Sequence, residues 1–344
     1  MVRFLLIMGI NKKQKTLLGS FLNLGAVVAS LLIPVAIAHA QSNGLGVTPK
    51  ETFTMNAGAT ASNSLFLANL NKTQPLNVHL NVVDFTYQDE SGSAKLLQAS
   101  DQPQTAWSLK PYITVPDNVT VPPGGSKQIQ FTLKLPASIG AGTYYSAVEY
   151  TASTGSGSQQ VTIAASSATL LFINVPGKTS ELLTMKNFGM YDTKANKFVS
   201  VFHSQPTYFD YRLANNGNLA EAPAGSLVIK NMFGHLVAKV DNANPKGQIA
   251  LIGQTRRFQG CNPKSTAAQD LPKDENCIPF NLKPGLYTAT IAIFYGQNGQ
   301  PTREIGATSH FWYLPWSFIV EVLVVAALVI YFASRIYSGM RRRK

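Results

Sequence analysis

Apolar and polar residues alternate along most of the chain between Gln41 and His310. In "KQIQFTLKLP", Ile129, Phe131, Leu133 and Leu135 fall on one face and Gln128, Gln130, Thr132 and Lys134 on the other. A period of two marks a half-buried strand. "PLNVHLNVVDFTY" sets Leu76, Val78, Leu80 and Val82 against Asn77, His79 and Asn81, then changes phase to Val83, Phe85 and Tyr87. A phase change inside a strand predicts a bulge. Turn-forming clusters such as "NAGAT", "DESGS", "PPGGS", "SIGAG", "NNGN" and "KPG" separate the strands. With no long amphipathic helix between the two ends, this pattern predicts an all-β ectodomain of immunoglobulin-like β-sandwiches.

The pattern occurs twice. "IGAGTYYSAVEY" (139–150) matches "LKPGLYTATIAIFY" (282–295): each has Gly-x-Tyr entering a strand after a turn. Tyr144 and Tyr287 suit a tyrosine corner, in which the ring packs and the hydroxyl bonds backbone. An aromatic residue at a strand start is the simpler alternative. "NSLFLANLN" and "TYFDYRLANNGN" precede the two tyrosines in the same order. One sandwich per half follows, residues 41–176 and 177–312, with the boundary at Pro176-Gly177.

Both ends break the alternation. The first 40 residues hold a basic stretch ("NKKQK"), an apolar run and "AHA" before Gln41, the layout of a cleaved secretory signal peptide. An uncleaved anchor is the alternative, and either Met1 or Met8 fits as the start. Near the C-terminus, Leu314–Ser334 carries one charge, Glu321, over a length that crosses a hydrocarbon core of ~30 Å. A transmembrane helix over 313–336 is expected, with Trp312, Tyr313 and Trp316 (beside Phe311) as its interfacial aromatic belt. The residues 337–344 form a basic cytoplasmic tail by the positive-inside rule. The expected protein is a single-pass cell-membrane protein with its ectodomain outside. Glu321 snorkels to the outer interface or pairs with a partner helix. "LPWSF" (314–318) begins like a wall-sorting signal, but Ser317 and Phe318 stand where Thr and Gly would be needed, so the anchor stays in the membrane.

The net charge of +12 invites a nucleic-acid partner. Two thirds of it sits in the terminal segments, so the folded part lacks a basic footprint, and nucleic acid is excluded. The two cysteines, Cys261 and Cys277, fall in one exported half, where a disulfide is expected. Their spacing is not the C-x-x-C of redox proteins. H-E-x-x-H, G-x-S-x-G and Walker-type loops are absent from the sequence. His79, His203, His235 and His310 are scattered. Asp270, Asp274 and Glu275 lack the spacing of a calcium loop. No catalytic residue, cofactor or metal is expected.

The layout resembles that of WxL-interacting bacterial surface proteins: signal, tandem immunoglobulin-like domains, one C-terminal span and a basic tail. "GVTPKETFTMNAGATASNSLFLANLNKTQPLNVHLNVVDF", "VTVPPGGSKQIQFTLKLP" and "AGTYYSAVEY" carry the resemblance in the first half, and "ANNGNLAEAPAGSLVIKNMFG" carries it in the second. The first half also resembles, more loosely, the sandwiches of periplasmic pilus chaperones. The cysteine pair is not part of the WxL-interacting pattern. The resemblance implies binding of cell-wall polymer (peptidoglycan) or of other surface proteins, without enzymatic activity. An accessory subunit of a membrane complex, docking through its helix, is the main alternative. A hydrolase with an unrecognised site is the other.

Overall fold

The computed structural model describes residues 44–97, 100–154, 162–264, 276–296 and 302–341. The segment expected to be a signal peptide, the acidic residues of the cysteine loop and the last three basic residues lie outside them. The described strands form two β-sandwiches, each a four-stranded sheet on a five-stranded one. In the first, the smaller sheet runs β1 (Leu45–Val47), β3 (Thr60–Asn69), β9 (Ser126–Lys134), β7 (Ile113–Thr114). Its larger sheet runs β2 (Lys50–Thr54), β11 (Thr162–Val175), β10 (Gly142–Thr154), β4 (Leu76–Val83), β8 (Asn118–Val121). In the second, the smaller sheet runs β13 (Lys197–Phe198), β12 (Leu183–Asp192), β15 (Tyr208–Asn215), β18 (Thr255–Cys261). Its larger sheet runs β14 (Val201–Phe202), β20 (Arg303–Tyr313), β19 (Gly285–Tyr295), β16 (Ala224–Asn231), β17 (Leu236–Val240).

The alternation read from the sequence becomes burial. Ile129, Phe131 and Leu133 of β9 are buried while Gln128, Gln130 and Thr132 face solvent. They meet Leu76, Val78 and Leu80 of β4 and Val148 and Tyr150 of β10 in one core. Tyr211, Phe209 and Phe258 lead the second core, with Tyr211 and Phe258 stacked 5.0 Å apart.

The two halves repeat the same local devices. Gly142 and Gly285 enter β10 and β19 with φ of +148° and +155°, a backbone that L side chains rarely adopt. Two residues on, the hydroxyl of Tyr144 donates to Gly140 O (3.3 Å) and that of Tyr287 to Lys283 O (2.6 Å). Asn69 and Asn215 end β3 and β15, both buried. Each accepts an N–H two residues ahead through Oδ1 and donates to backbone carbonyls through Nδ2. Buried amides of this kind persist because every polar atom is paired.

The predicted bulge in β4 is not there. The ladder to β10 runs unshifted from Asn77 to Val83. The change of phase has another cause: after Asp84 the chain leaves the sheet as β5 (Phe85–Tyr87), which pairs with β6 (Ala94–Leu96). Val83 and Phe85 thereby turn away from the first core and toward the second sandwich.

Cys261 and Cys277 are bonded, with Cα atoms 5.7 Å apart, and across the neck of the loop they close Lys264 N donates to Asn276 O and Ile278 N to Asn262 O. Replacing Cys277 by Ser is expected to lower the stability of the chain by about 3 kcal/mol, the chain-entropy value for a ring of this size. Denaturant midpoints with and without the bond measure it. An unchanged midpoint would assign the neck to its backbone bonds alone.

After Tyr313 the chain forms one helix, Trp316–Arg341. Its segment Trp316–Ser338 has a mean hydropathy of 2.3 and is not buried against the rest of the chain. It is long and apolar enough to cross a membrane. Glu321 is exposed in its second turn.

Candidate functional site

A third apolar cluster joins the two sandwiches. Phe85, Tyr145 and Phe172 pack as an aromatic trio with ring centres 5.3–5.9 Å apart. Ile249, Leu251 and Ile252, from the turn before β18, complete it. Polar bonds surround the cluster. Thr143 N donates to Asn218 O (2.9 Å), Asn218 Nδ2 to Ala141 O (3.0 Å), and Ala220 N to the Thr143 hydroxyl (3.0 Å). A Cβ on Gly142 would stand 2.7 Å from Asn218 O, so glycine is also what allows this close approach. On the other side Arg256, nearly buried, lies over the Tyr87 ring at 4.5 Å and donates to the Tyr87 hydroxyl and to Ile249 O (2.7 Å). Glu90 reaches across to Arg212 at 3.2 Å.

Beside this junction lies a cavity of about 410 Å³ lined by Lys50, Thr52, Thr54, Thr143, Asn174 and Glu221, among others. Glu221 is 5% exposed, and its Oε1 has no hydrogen-bond partner among the described residues. Burial pushes its carboxyl from an ordinary 4.5 to about 7. Glu181 adds to the shift, and the Gly296 N–H and Arg303 oppose it.

The cavity opens along β2, and β2 covers only part of β11. The two strands pair in parallel from Leu170 to Asn174. Over Thr162–Ala168, nothing among the described residues pairs with the outer edge of β11. The Leu170 N–H points outward, to Pro49 O (3.0 Å), and strand alternation turns the N–H groups of Ala168 and Ser166 the same way. This open stretch reads Thr-Ile-Ala-Ala-Ser-Ser-Ala and carries no charge. A register shift opposite Ala152 and Ser153 bulges the strand near its start. In the second sandwich β14 covers β20 only at Trp312 and Tyr313. There the uncovered stretch bears Arg303 and Glu304, charges of the kind that blunt an edge against pairing. The β11 edge has no such guard. It is equipped to take an added strand through main-chain hydrogen bonds.

The residues singled out from sequence do not converge on this place. Tyr144 and Tyr287 brace one strand each, and the cysteine pair ties the last residue of β18 to the segment that follows the loop. Of the aromatic cluster before the helix, Phe311 and Tyr313 are buried in the second core by the alternation of β20, while Trp312 is exposed. Trp316 begins the helix and stacks on His203 at 4.4 Å. His79 and His310 bond neighbouring side chains on exposed strand faces. Among the described residues, no three His, Cys, Asp or Glu side chains group as metal ligands would. Sequence reasoning missed Lys50, Phe172, Glu221 and the β11 edge. An uncharged 14-residue strand beside a charged counterpart was the one available signal.

No protein-family model matches the chain, and no curated protein does. Among solved structures, it is similar to the class 5 fimbriae chaperone CfaA, at 10% identity over 77% of this chain and 99% of that one, with a TM-score of 0.36. The E. coli chaperone DraB matches at 10% identity over 77% and 97%, with a TM-score of 0.34. A chain of the CsuC–CsuE chaperone–tip adhesion subunit complex of Acinetobacter baumannii matches at 11% identity over 79% and 99%, with a TM-score of 0.33. The likeness is one of fold.

Proposed function

We propose that this is a non-enzymatic, membrane-anchored surface protein that holds an extended segment of another exported protein against β11. The single observation that carries this is the uncharged, unpaired outer edge of β11 at Thr162–Ala168. In this reading the signal segment directs export and the C-terminal helix crosses the membrane once, with the ectodomain outside and the basic tail inside. The partner's strand would continue the larger sheet of the first sandwich. Its alternate side chains would lie on the two faces of that sheet.

The test uses the full chain in detergent and twelve-residue peptides of alternating apolar and polar residues. Ser166→Pro removes one outward N–H without touching the β10 ladder, which an edge strand tolerates. Peptide binding is expected, with about tenfold loss on Ser166→Pro or on N-methylation of alternate peptide residues, the equivalent of one or two main-chain bonds at ~1 kcal/mol each. Equal binding by the variant and by the methylated peptide would overturn the edge reading. Sedimentation with isolated cell walls, unchanged by Ser166→Pro, would favour instead the wall-polymer role of a WxL-interacting type of protein.

A further inference from the structure

The end of the second sandwich opposite the junction carries an apolar tip that no core accounts for. β16 turns into β17 through Asn231–His235, and the side chains around the turn are bare: Met232 62%, Phe233 75% and Leu236 60% exposed. The register places this turn. Asn231 lies opposite Tyr287, and Tyr287 opposite Phe311, two residues before β20 ends and five before the helix begins. The hairpin and the start of the helix therefore leave the same end of one sheet. Two to three strand spacings, about 10–15 Å, separate them laterally. Exposed Trp312 lies on this end too.

The turn is preformed. Asn231 Oδ1 accepts the N–H groups of Phe233 and His235, both at 3.0 Å. The Gly234 N–H donates to Asn231 O (2.9 Å), and Gly234 takes φ +81° with open space beyond it. Three successive N–H groups at the tip, those of Phe233, Gly234 and His235, are thus satisfied inside the hairpin, which lowers the cost of entering the lipid interface. The flanking segments, Lys230–Val237 and 281–287, contain Lys230, Lys283 and His235 and no acid. An apolar tip with a basic collar fits an anionic lipid interface.

We infer that the β16–β17 hairpin is a second membrane contact, with Met232 and Phe233 seated in the lipid interface beside the helix. This rests on the reading of the helix as a span. With two points of attachment, the sandwich cannot swivel freely on its two-residue connection.

The test uses the full chain with its disulfide intact, in bilayers of phosphatidylcholine and phosphatidylglycerol. An environment-sensitive fluorophore is placed singly on Phe233→Cys, Val325→Cys or Gln130→Cys, and quenching by acyl-chain bromines is read. Labels at 233 and 325 should both be quenched several-fold more than the label at 130. Quenching at 325 with a solvated label at 233 would overturn the inference and leave the span. A solvated label at 325 would remove the span and the inference with it. An unquenched label at 233, together with disulfide-linked dimers when the unlabelled Phe233→Cys chain is treated with a mild oxidant, would overturn it in favour of contact between two copies.

Discussion

Phe172→Ala is expected to cost about 3–5 kcal/mol, the range for deleting a buried aromatic ring. Phe172 is 2% exposed and touches both Phe85 and Tyr145 in the cluster that joins the sandwiches. Its loss opens a void where the two halves meet, so each half should then unfold with its own midpoint. Trp107 reports on the first half and Trp312 and Trp316 on the second, so fluorescence in denaturant separates the two transitions. Phe66→Ala is the control: Phe66 is 44% exposed, and such surface changes stay within about 0.5 kcal/mol. A cost for Phe172→Ala as small as that of the control would mean that the junction is not a core.

Glu221→Gln should remove a pH dependence that the native chain carries. The carboxyl of Glu221 rises from 4.5 to about 7 on folding, chiefly by desolvation. Between these values the folded chain keeps a proton that the unfolded chain has released. Stability is therefore full below pH ~4.5 and drains as pH rises to ~7, by roughly 2–4 kcal/mol at 1.36 kcal/mol per unit. Asp210, raised from 3.8 to about 6 by burial against the opposing pull of Arg257 at 2.5 Å, acts in the same direction at lower pH. The glutamine variant should match the native chain near pH 4 and exceed it at pH 8. Denaturant midpoints at the two pH values decide it; an identical fall in both proteins would clear Glu221 of the effect.

Much of the architecture was legible along the chain because alternation maps directly onto a sheet with one buried face. The strand β9 needed nothing more than its period. The Gly-x-Tyr repeat was also readable, since Gly142 and Gly285 answer the same backbone demand and each tyrosine hydroxyl finds a carbonyl four residues back. What stayed hidden was which apolar faces meet across long separations. Gln254 bonds Thr86, and Arg256 bonds Tyr87, across 168 and 169 residues. No local pattern announces such pairs, and the phase change at Val83 looked like a bulge when it marked a second destination. The aromatic cluster at residues 311–316 misled in a different way. Its composition suggested a membrane belt throughout, whereas the period of β20 sends Phe311 and Tyr313 inward and only Trp312 out. The open edge of β11 left only its lack of charge as a trace, because an edge is defined by a neighbour that is missing, and sequence records only the strand itself.

The junction also has a mechanical consequence. A hinge between the halves would absorb a pull on whatever β11 holds, letting the first sandwich trail along the load. The shared cluster and its rim of hydrogen bonds make the pair behave as one lever instead. A force applied at the β11 edge is delivered across the full height of the second sandwich, eleven residues or ~35 Å along β19, to the short connection before Trp316. That connection, tied by Leu314 to Phe202 and by Trp316 to His203, is where such a load would first be felt.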